Sequence, residues 1–152
     1  MRDYKKVYTF RAAPDVYYVW VGGSCDYANE ERAGGGAYII EKENKRYDEY
    51  FISEMHTTEF RMLFKVMLHA MREIPTESKI CFLTNVAYLQ NFDKEPTAAT
   101  ANADLIVQCI TAKARHKECY VKIIPYHKFS QLPETHNVAH NAMIEQRNHK
   151  NG

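Results

Sequence analysis

The hydrophobic pattern of the chain changes from strand type to helix type near Thr57, and this change restricts the possible folds more than any other feature. From Thr57 to Ile74, apolar side chains recur at three- or four-residue intervals, at Phe60, Leu63, Phe64, Met67, Leu68, Met71 and Ile74. At about 100° per residue they form a stripe about 140° wide, which is typical of the core-facing side of a helix. Thr57 or Thr58 can cap its start, and Pro75 marks its end.

Strand-type runs lie on both sides of this helix. The runs before it are rich in β-branched and aromatic residues, and they cover Val16–Val21, Ala37–Ile40 and Tyr47–Ile52. Short connections between neighbouring strands favour an antiparallel meander. The later runs, Lys79–Thr84 and Cys119–Ile124, each follow a helical segment, which favours parallel pairing.

Two further helices complete the predicted architecture. The pattern predicts one from about Asn102 to Lys117 and a last one from His136 to Gln146, with a loop up to about Thr135. Between the fourth strand and these helices, a short helix near Tyr88 is possible. With a right-handed crossover, this order predicts an α/β fold with a mixed five-stranded sheet, three antiparallel strands and then two parallel ones, flanked by helices. At this length we expect one domain over residues 1–152, with its core at about 16–146.

Charge and composition exclude some classes of function. Twenty Lys and Arg against nineteen Asp and Glu give a formal net charge of +1. This balance excludes a strongly basic nucleic-acid coat and an acidic solvating tail, but not a local basic face. With nineteen carboxylates in the chain, a shortage of acidic ligands does not exclude metal chemistry.

The cysteines and the hydropathy profile predict an ordinary intracellular protein. Cys25, Cys81, Cys109 and Cys119 are scattered, so four reduced thiols are expected rather than a disulfide framework or a zinc site. The charged start has no apolar run long enough for a signal peptide, and no stretch is long enough to span a membrane. We therefore expect a cytoplasmic protein with no membrane partner and no small-molecule cofactor.

Several short segments resemble motifs of the ribonuclease H family, in the order in which that family has them. The first segment resembles the end of the family's first strand, and the second resembles the entry to its second strand. The third resembles the start of the first long helix, and the fourth resembles the end of the fourth strand. The last two resemble the fifth strand with its loop histidine and the final helix. These segments are Val21–Cys25, Gly34–Tyr38, Thr57–Leu63, Leu83–Leu89, Lys122–His127 and Asn137–Met143. Together they extend the resemblance from about Val16 to Gln146.

The resemblance implies a lost catalytic centre. The family cleaves the RNA strand of RNA–DNA hybrids with two divalent metal ions held by four acids, because hard cations such as Mg²⁺ bind oxygen ligands. The matching positions here hold Gly22, Leu63, Asn85, and either His140 or Asn141. None is an acid, so the resemblance implies an inactive ribonuclease H-like domain without catalytic residues or a metal site.

An active nuclease with relocated ligands is an alternative. The acids closest in sequence to the four positions are Asp26, Glu59, Asp93 and Glu145. Only in that case would Mg²⁺ or Mn²⁺ be a cofactor. All four acids would have to move together, and a metal site tolerates little displacement of its ligands.

Nucleic acid is the partner that the sequence favours, and another protein is the alternative. Basic residues recur on the flank of the first helix and at the end of the next, and His127 matches the family's loop histidine. The candidate contacts are Arg61, Lys65, Arg72, Lys113, Arg115, Lys117 and His127. Such residues can neutralise phosphates without any catalytic acid, although each patch could equally be a solvated helix face. An exposed apolar patch around Leu63 would instead favour a protein-interaction module.

Overall fold

The computed structural model describes residues 11–151, with side chains up to His149. The charged start of the chain therefore lies outside the described residues. Eight helices and strands make up the described part, together with a 3₁₀ helix at Ala87–Asn91. In chain order they are β1 (Val16–Cys25), β2 (Gly34–Lys42), β3 (Lys45–Glu54), α1 (Glu59–Glu73), β4 (Lys79–Thr84), α2 (Ala103–Lys113), β5 (Glu118–Ile123) and α3 (Gln131–Asn151).

The five strands form one mixed sheet in the order β3-β2-β1-β4-β5. β1, β2 and β3 pair antiparallel, whereas β4 pairs parallel to both β1 and β5. The predicted fold class is therefore confirmed. Because β1, β4 and β5 run in the same direction, their carboxyl ends meet at one edge of the sheet, where ligand sites of such sheets commonly lie.

Two apolar layers hold the helices against the two faces of the sheet. One layer includes Val21, Phe64, Met67, Phe82 and Ile106, and it packs α1 and α2 on the first face. The other includes Trp20, Ile39, Leu83, Phe129 and Leu132, on the face that α3 covers. Within residues 11–151, no helix is long and apolar enough to cross a membrane.

Five glycines allow the helices to lie very close to β1 and β2. A Cβ atom on Gly22 would lie 2.8 Å from the backbone nitrogen of His136, and one on Gly35 would lie 2.9 Å from that of Met143, both in α3. On the opposite face, a Cβ on Gly36 would lie 2.9 Å from the carbonyl oxygen of Met62 in α1. None of the five has a positive φ, so helix approach rather than turn geometry requires glycine here.

The helix boundaries agree with the sequence prediction at the start of α1, and they differ from it at the end of α2 and at both ends of α3. α1 begins after Thr58, whose hydroxyl accepts a hydrogen bond from the Arg61 backbone N–H at 3.1 Å, and Phe60 is 38% exposed rather than in the core. α2 ends at Lys113, four residues before the predicted end.

The last helix is longer than predicted at both ends, since it continues past Gln146 to Asn151. α3 begins at Gln131, five residues before the predicted start. The predicted loop contained Pro133, but proline is tolerated in a first turn, where its missing N–H would lack an intrahelical partner. The Glu134 N–H donates to the Ser130 carbonyl at 3.0 Å and closes that turn.

Candidate nucleic-acid cleft

A pocket of about 320 Å³ lies at the carboxyl ends of β1 and β4. Gly22 and Gly23 of β1 form its floor, and Leu63 of α1 contributes an apolar wall. Its polar lining comes from four side chains on four different segments: Glu59, Asn85, Tyr126 and His136. The pocket therefore offers hydrogen-bonding groups around a single carboxylate.

Three of the four positions that match the family's acids come together in this pocket. Gly22, Leu63 and Asn85 all line it, although they lie far apart in sequence. The residue that α3 contributes is His136, whereas His140 and Asn141 are exposed and do not line the pocket. The sequence comparison placed the family's last acid at His140 or Asn141, one helical turn after His136, and so did not identify His136 as a pocket residue.

Among the described residues that line the pocket, Glu59 is the one acid, and it is partly buried. Burial raises the pKa of its carboxyl group, and the nearby His136 partly offsets that increase. Its side chain packs over Gly23 beside Leu63, since a Cβ on Gly23 would lie 3.2 Å from Glu59 Cγ and 2.8 Å from Leu63 Cγ. The carboxylate is consequently less stable here than in water.

We expect Glu59→Gln to stabilise the protein at neutral pH. A carboxyl whose pKa is raised on folding does not affect the free energy of unfolding below its unfolded pKa of about 4.3, because it is protonated in both states. As the pH rises from there through the folded pKa, the carboxyl lowers the free energy of unfolding progressively. Urea unfolding at about pH 7 should therefore show a higher free energy of unfolding for the variant, and the gain should disappear near about pH 4. Glu95→Gln, at an exposed loop position, is the control, and an equal gain there would contradict the prediction.

The acids closest in sequence to the four positions do not gather around Glu59. Asp26 accepts hydrogen bonds from Asn29 at 2.6 Å and Arg147 at 3.3 Å and lines another depression. Asp93 pairs with Lys113, and Glu145 lies in a third depression beside Ser53. Among residues 11–149, no three His, Cys, Asp or Glu side chains are grouped as a metal site. A pocket with one carboxylate and the Asn85 amide does not fit two hard divalent ions.

Two of the three basic residues on the flank of α1 form ion pairs within the protein, and the third donates to a neutral amide. Arg61 makes two hydrogen bonds to the Asp104 carboxylate, at 2.8 and 3.1 Å, and Lys65 lies 2.6 Å from a Glu54 oxygen. Arg72 donates to the Gln108 side chain at 3.2 Å. Arg61 and Lys65 thus join α1 to α2 and β3, and this flank carries less free positive charge than the sequence predicts.

The second basic patch lies away from the cleft. Lys113 pairs with Asp93 at 2.5 Å, and Arg115 and Lys117 are exposed just before β5 begins. The cleft lies where β1 and β4 end, so the six residues of β5 separate this patch from it by about 20 Å. One ligand in the pocket would therefore not contact Arg115 or Lys117 directly.

Three histidines and a tyrosine follow one another along the mouth of the pocket. The ring of Tyr126 lies 4.8 Å from that of His127 and 5.8 Å from that of His136, and the His136 and His140 rings are 6.2 Å apart and nearly parallel. We call His127, Tyr126, His136 and His140 the histidine row. Sequence analysis singled out His127 and His140 separately. The spacing of four residues between His136 and His140, which places both on one helix face, could have revealed the pair.

Comparison with solved structures supports the fold assignment. The structure is similar to the crystal structure of LC9-RNase H1, described as a type 1 ribonuclease H with the type 2 active-site motif. The TM-score is 0.70 at 18% sequence identity, and the match covers 90% of this chain and 76% of the other. No family model and no curated protein matches the sequence. The fold is ribonuclease H-like, as the sequence motifs predicted.

Proposed function

We propose that this chain is a ribonuclease H-like domain that has lost metal-dependent hydrolysis and binds nucleic acid, as an RNA–DNA hybrid or an RNA duplex. The observation that carries this proposal is the composition of the pocket at the carboxyl ends of β1 and β4. Three positions that match the family's acids meet there as Gly22, Leu63 and Asn85, and the polar side chains among the described lining residues include one acid.

The loss of hydrolysis follows from charge. Two-metal catalysis needs several carboxylates to hold the ions and stabilise the departing oxygen. Of the described residues that line the pocket, Glu59 alone is a carboxylate, and burial already disfavours its ionised form. With fewer acids, the cleft also repels a phosphate backbone less than an acid-centred cleft does.

Binding is supported by the groups that remain. His136, Tyr126 and Asn85 can donate hydrogen bonds to phosphate oxygens, and phosphate contacts position a nucleic acid without reading its sequence. Leu63 is 1% exposed, so the apolar patch that would favour a protein-interaction module does not occur at this position.

We expect no cleavage of a labelled RNA–DNA hybrid in the presence of Mg²⁺ or Mn²⁺. The measurement is gel analysis of the RNA strand after incubation with repurified protein. Cleavage that persists through repurification and disappears in Glu59→Gln would contradict the inactive half of the proposal. Cleavage that Glu59→Gln leaves unchanged would identify a contaminating nuclease.

A matched pair of substitutions tests binding at the cleft. Asn85→Asp adds a negative charge at the pocket, whereas Asn44→Asp adds the same charge in the β2–β3 turn, at the opposite end of the sheet. At low salt we expect the hybrid to bind, with about threefold or more weaker affinity in Asn85→Asp and little change in Asn44→Asp. Failure of the wild type to bind hybrid or duplex RNA at low salt would refute the binding half.

A further inference from the structure

We propose that the histidine row is a phosphate-binding site, and that protonation of His136 and His140 lets it hold neighbouring phosphates of one nucleic-acid strand. This deepens the proposed function and rests on it for the identity of the ligand, but not for the phosphate chemistry. One member of the row, His140, lies at a position that can match a family acid, and the imidazoles of the row can contact phosphate oxygens directly.

The geometry of the row leaves its donors available. Among residues 11–149, no hydrogen bond or ion pair engages the ring nitrogens of His136 or His127, and both rings contact Tyr126 edge-on. His140 is exposed, and its Nδ1 lies 3.2 Å from Ser24 Oγ, which leaves Nε2 free to point outward. An imidazolium is a donor at both nitrogens, so each ring can donate one hydrogen bond to an anion and a second one to a neighbouring residue.

Among the described residues that line the pocket with His136, Glu59 is the one that can carry a negative charge. His136 faces Glu59 of α1, Tyr126 after β5, and His140 on its own helix, while Asn85 lies across the pocket. His140 faces Ser24 of β1 and His136. Glu59 therefore opposes an anion at neutral pH, and its protonation removes that opposition.

Two changes then act together as the pH falls. Histidine is the side chain whose charge commonly changes between about pH 5 and 8, and a protonated imidazole in the row carries a positive charge. Burial raises the pKa of Glu59, so this carboxyl loses its negative charge at a higher pH than an exposed glutamate does. Both changes strengthen attraction for phosphate, so affinity should rise steeply on acidification.

Fluorescence anisotropy with a labelled RNA–DNA hybrid tests the site, with EDTA present to remove bridging metal and at constant ionic strength. We expect at least about fivefold tighter binding at about pH 5.5 than at about pH 7.5. His136→Gln with His140→Gln should abolish most of this difference. His149→Gln, at an exposed position on the same helix, should retain it, and Glu59→Gln should bind more tightly than wild type at about pH 7.5.

If the affinity for the hybrid depended on pH equally in the wild type and the double variant, the proposed phosphate site would be refuted, although binding of the hybrid itself would not be. An NMR titration with inorganic phosphate at about pH 5.5 separates the two proposals. Shifts of the His136 and His140 ring resonances, without hybrid binding, would support the site and refute nucleic acid as the ligand. Absence of such shifts in a folded wild-type protein would refute the site.

Discussion

Replacing Gly22 by aspartate, which restores the first acid of the ribonuclease H pattern, should lower the free energy of unfolding by about 3 kcal/mol and restore no hydrolysis. A Cβ atom at this position would lie 2.8 Å from the His136 backbone nitrogen and 2.9 Å from the Thr135 carbonyl carbon. Both are backbone atoms of α3, so no side-chain rotation can relieve the contact. Over-packing of this kind costs about 1–3 kcal/mol, and the buried carboxylate adds to it.

Two control variants separate the causes of this loss. Gly22→Ala introduces the Cβ without charge and should account for most of the destabilisation. Asn85→Asp introduces a carboxylate at an exposed position of the same pocket and should change stability by less than about 0.5 kcal/mol. Urea unfolding measures all three. If Gly22→Ala were as stable as the wild type, α3 would not lie against β1 as the structure has it.

The elements with strong hydrophobic periodicity could be predicted from sequence. The stripe from Leu63 to Met71 predicted α1 by its helical period, and β4 was placed with correct ends because it is a short apolar run between polar residues. The sheet followed from the order of elements, because parallel strands need a crossover connection and antiparallel ones need only a short turn.

The role of the glycines could not be predicted in the same way. The sequence shows Gly22, Gly23 and the run at residues 34–36 as turn signals, because glycine is common where the chain reverses. In the structure β1 continues to Cys25, and these glycines pair across β1 and β2 while helices approach from both sides. A close approach between residues more than 100 positions apart leaves no local pattern.

Surface charges were misleading for a related reason. The basic flank of α1 was visible in the sequence, but the partner of Arg61 is Asp104, 43 residues later. The partner of Lys65 is Glu54, on a neighbouring strand. Local spacing identifies which side chains share a helix face, but it does not show which charges the tertiary structure neutralises. His136 was missed because the family motif was matched one helical turn later, at His140, and the weak hydrophobic periodicity of α3 does not show which side of the helix faces the pocket.

Replacing Leu63 by glutamate, which restores the second acid, should destabilise the protein by about 3–5 kcal/mol. Leu63 is 1% exposed and belongs to the layer between α1 and the sheet. The substitution removes apolar contacts worth about 2–5 kcal/mol when a leucine is truncated, and it places a second carboxylate beside Glu59 over Gly23. The measurement is urea unfolding at about pH 7.5, with circular dichroism to verify that the variant folds.

Val107→Glu is the matched control, because Val107 is an apolar residue that is 51% exposed on α2. It should change stability by no more than about 0.5 kcal/mol, while Leu63→Met should cost less than about 1.5 kcal/mol. A Leu63→Glu protein within about 1 kcal/mol of the wild type would mean that the new carboxylate reaches solvent through the pocket.

If both Leu63→Glu and Gly22→Asp destabilise the protein as expected, then packing opposes the return of each acid separately. The metal site could be rebuilt only by moving α3 and repacking α1 together.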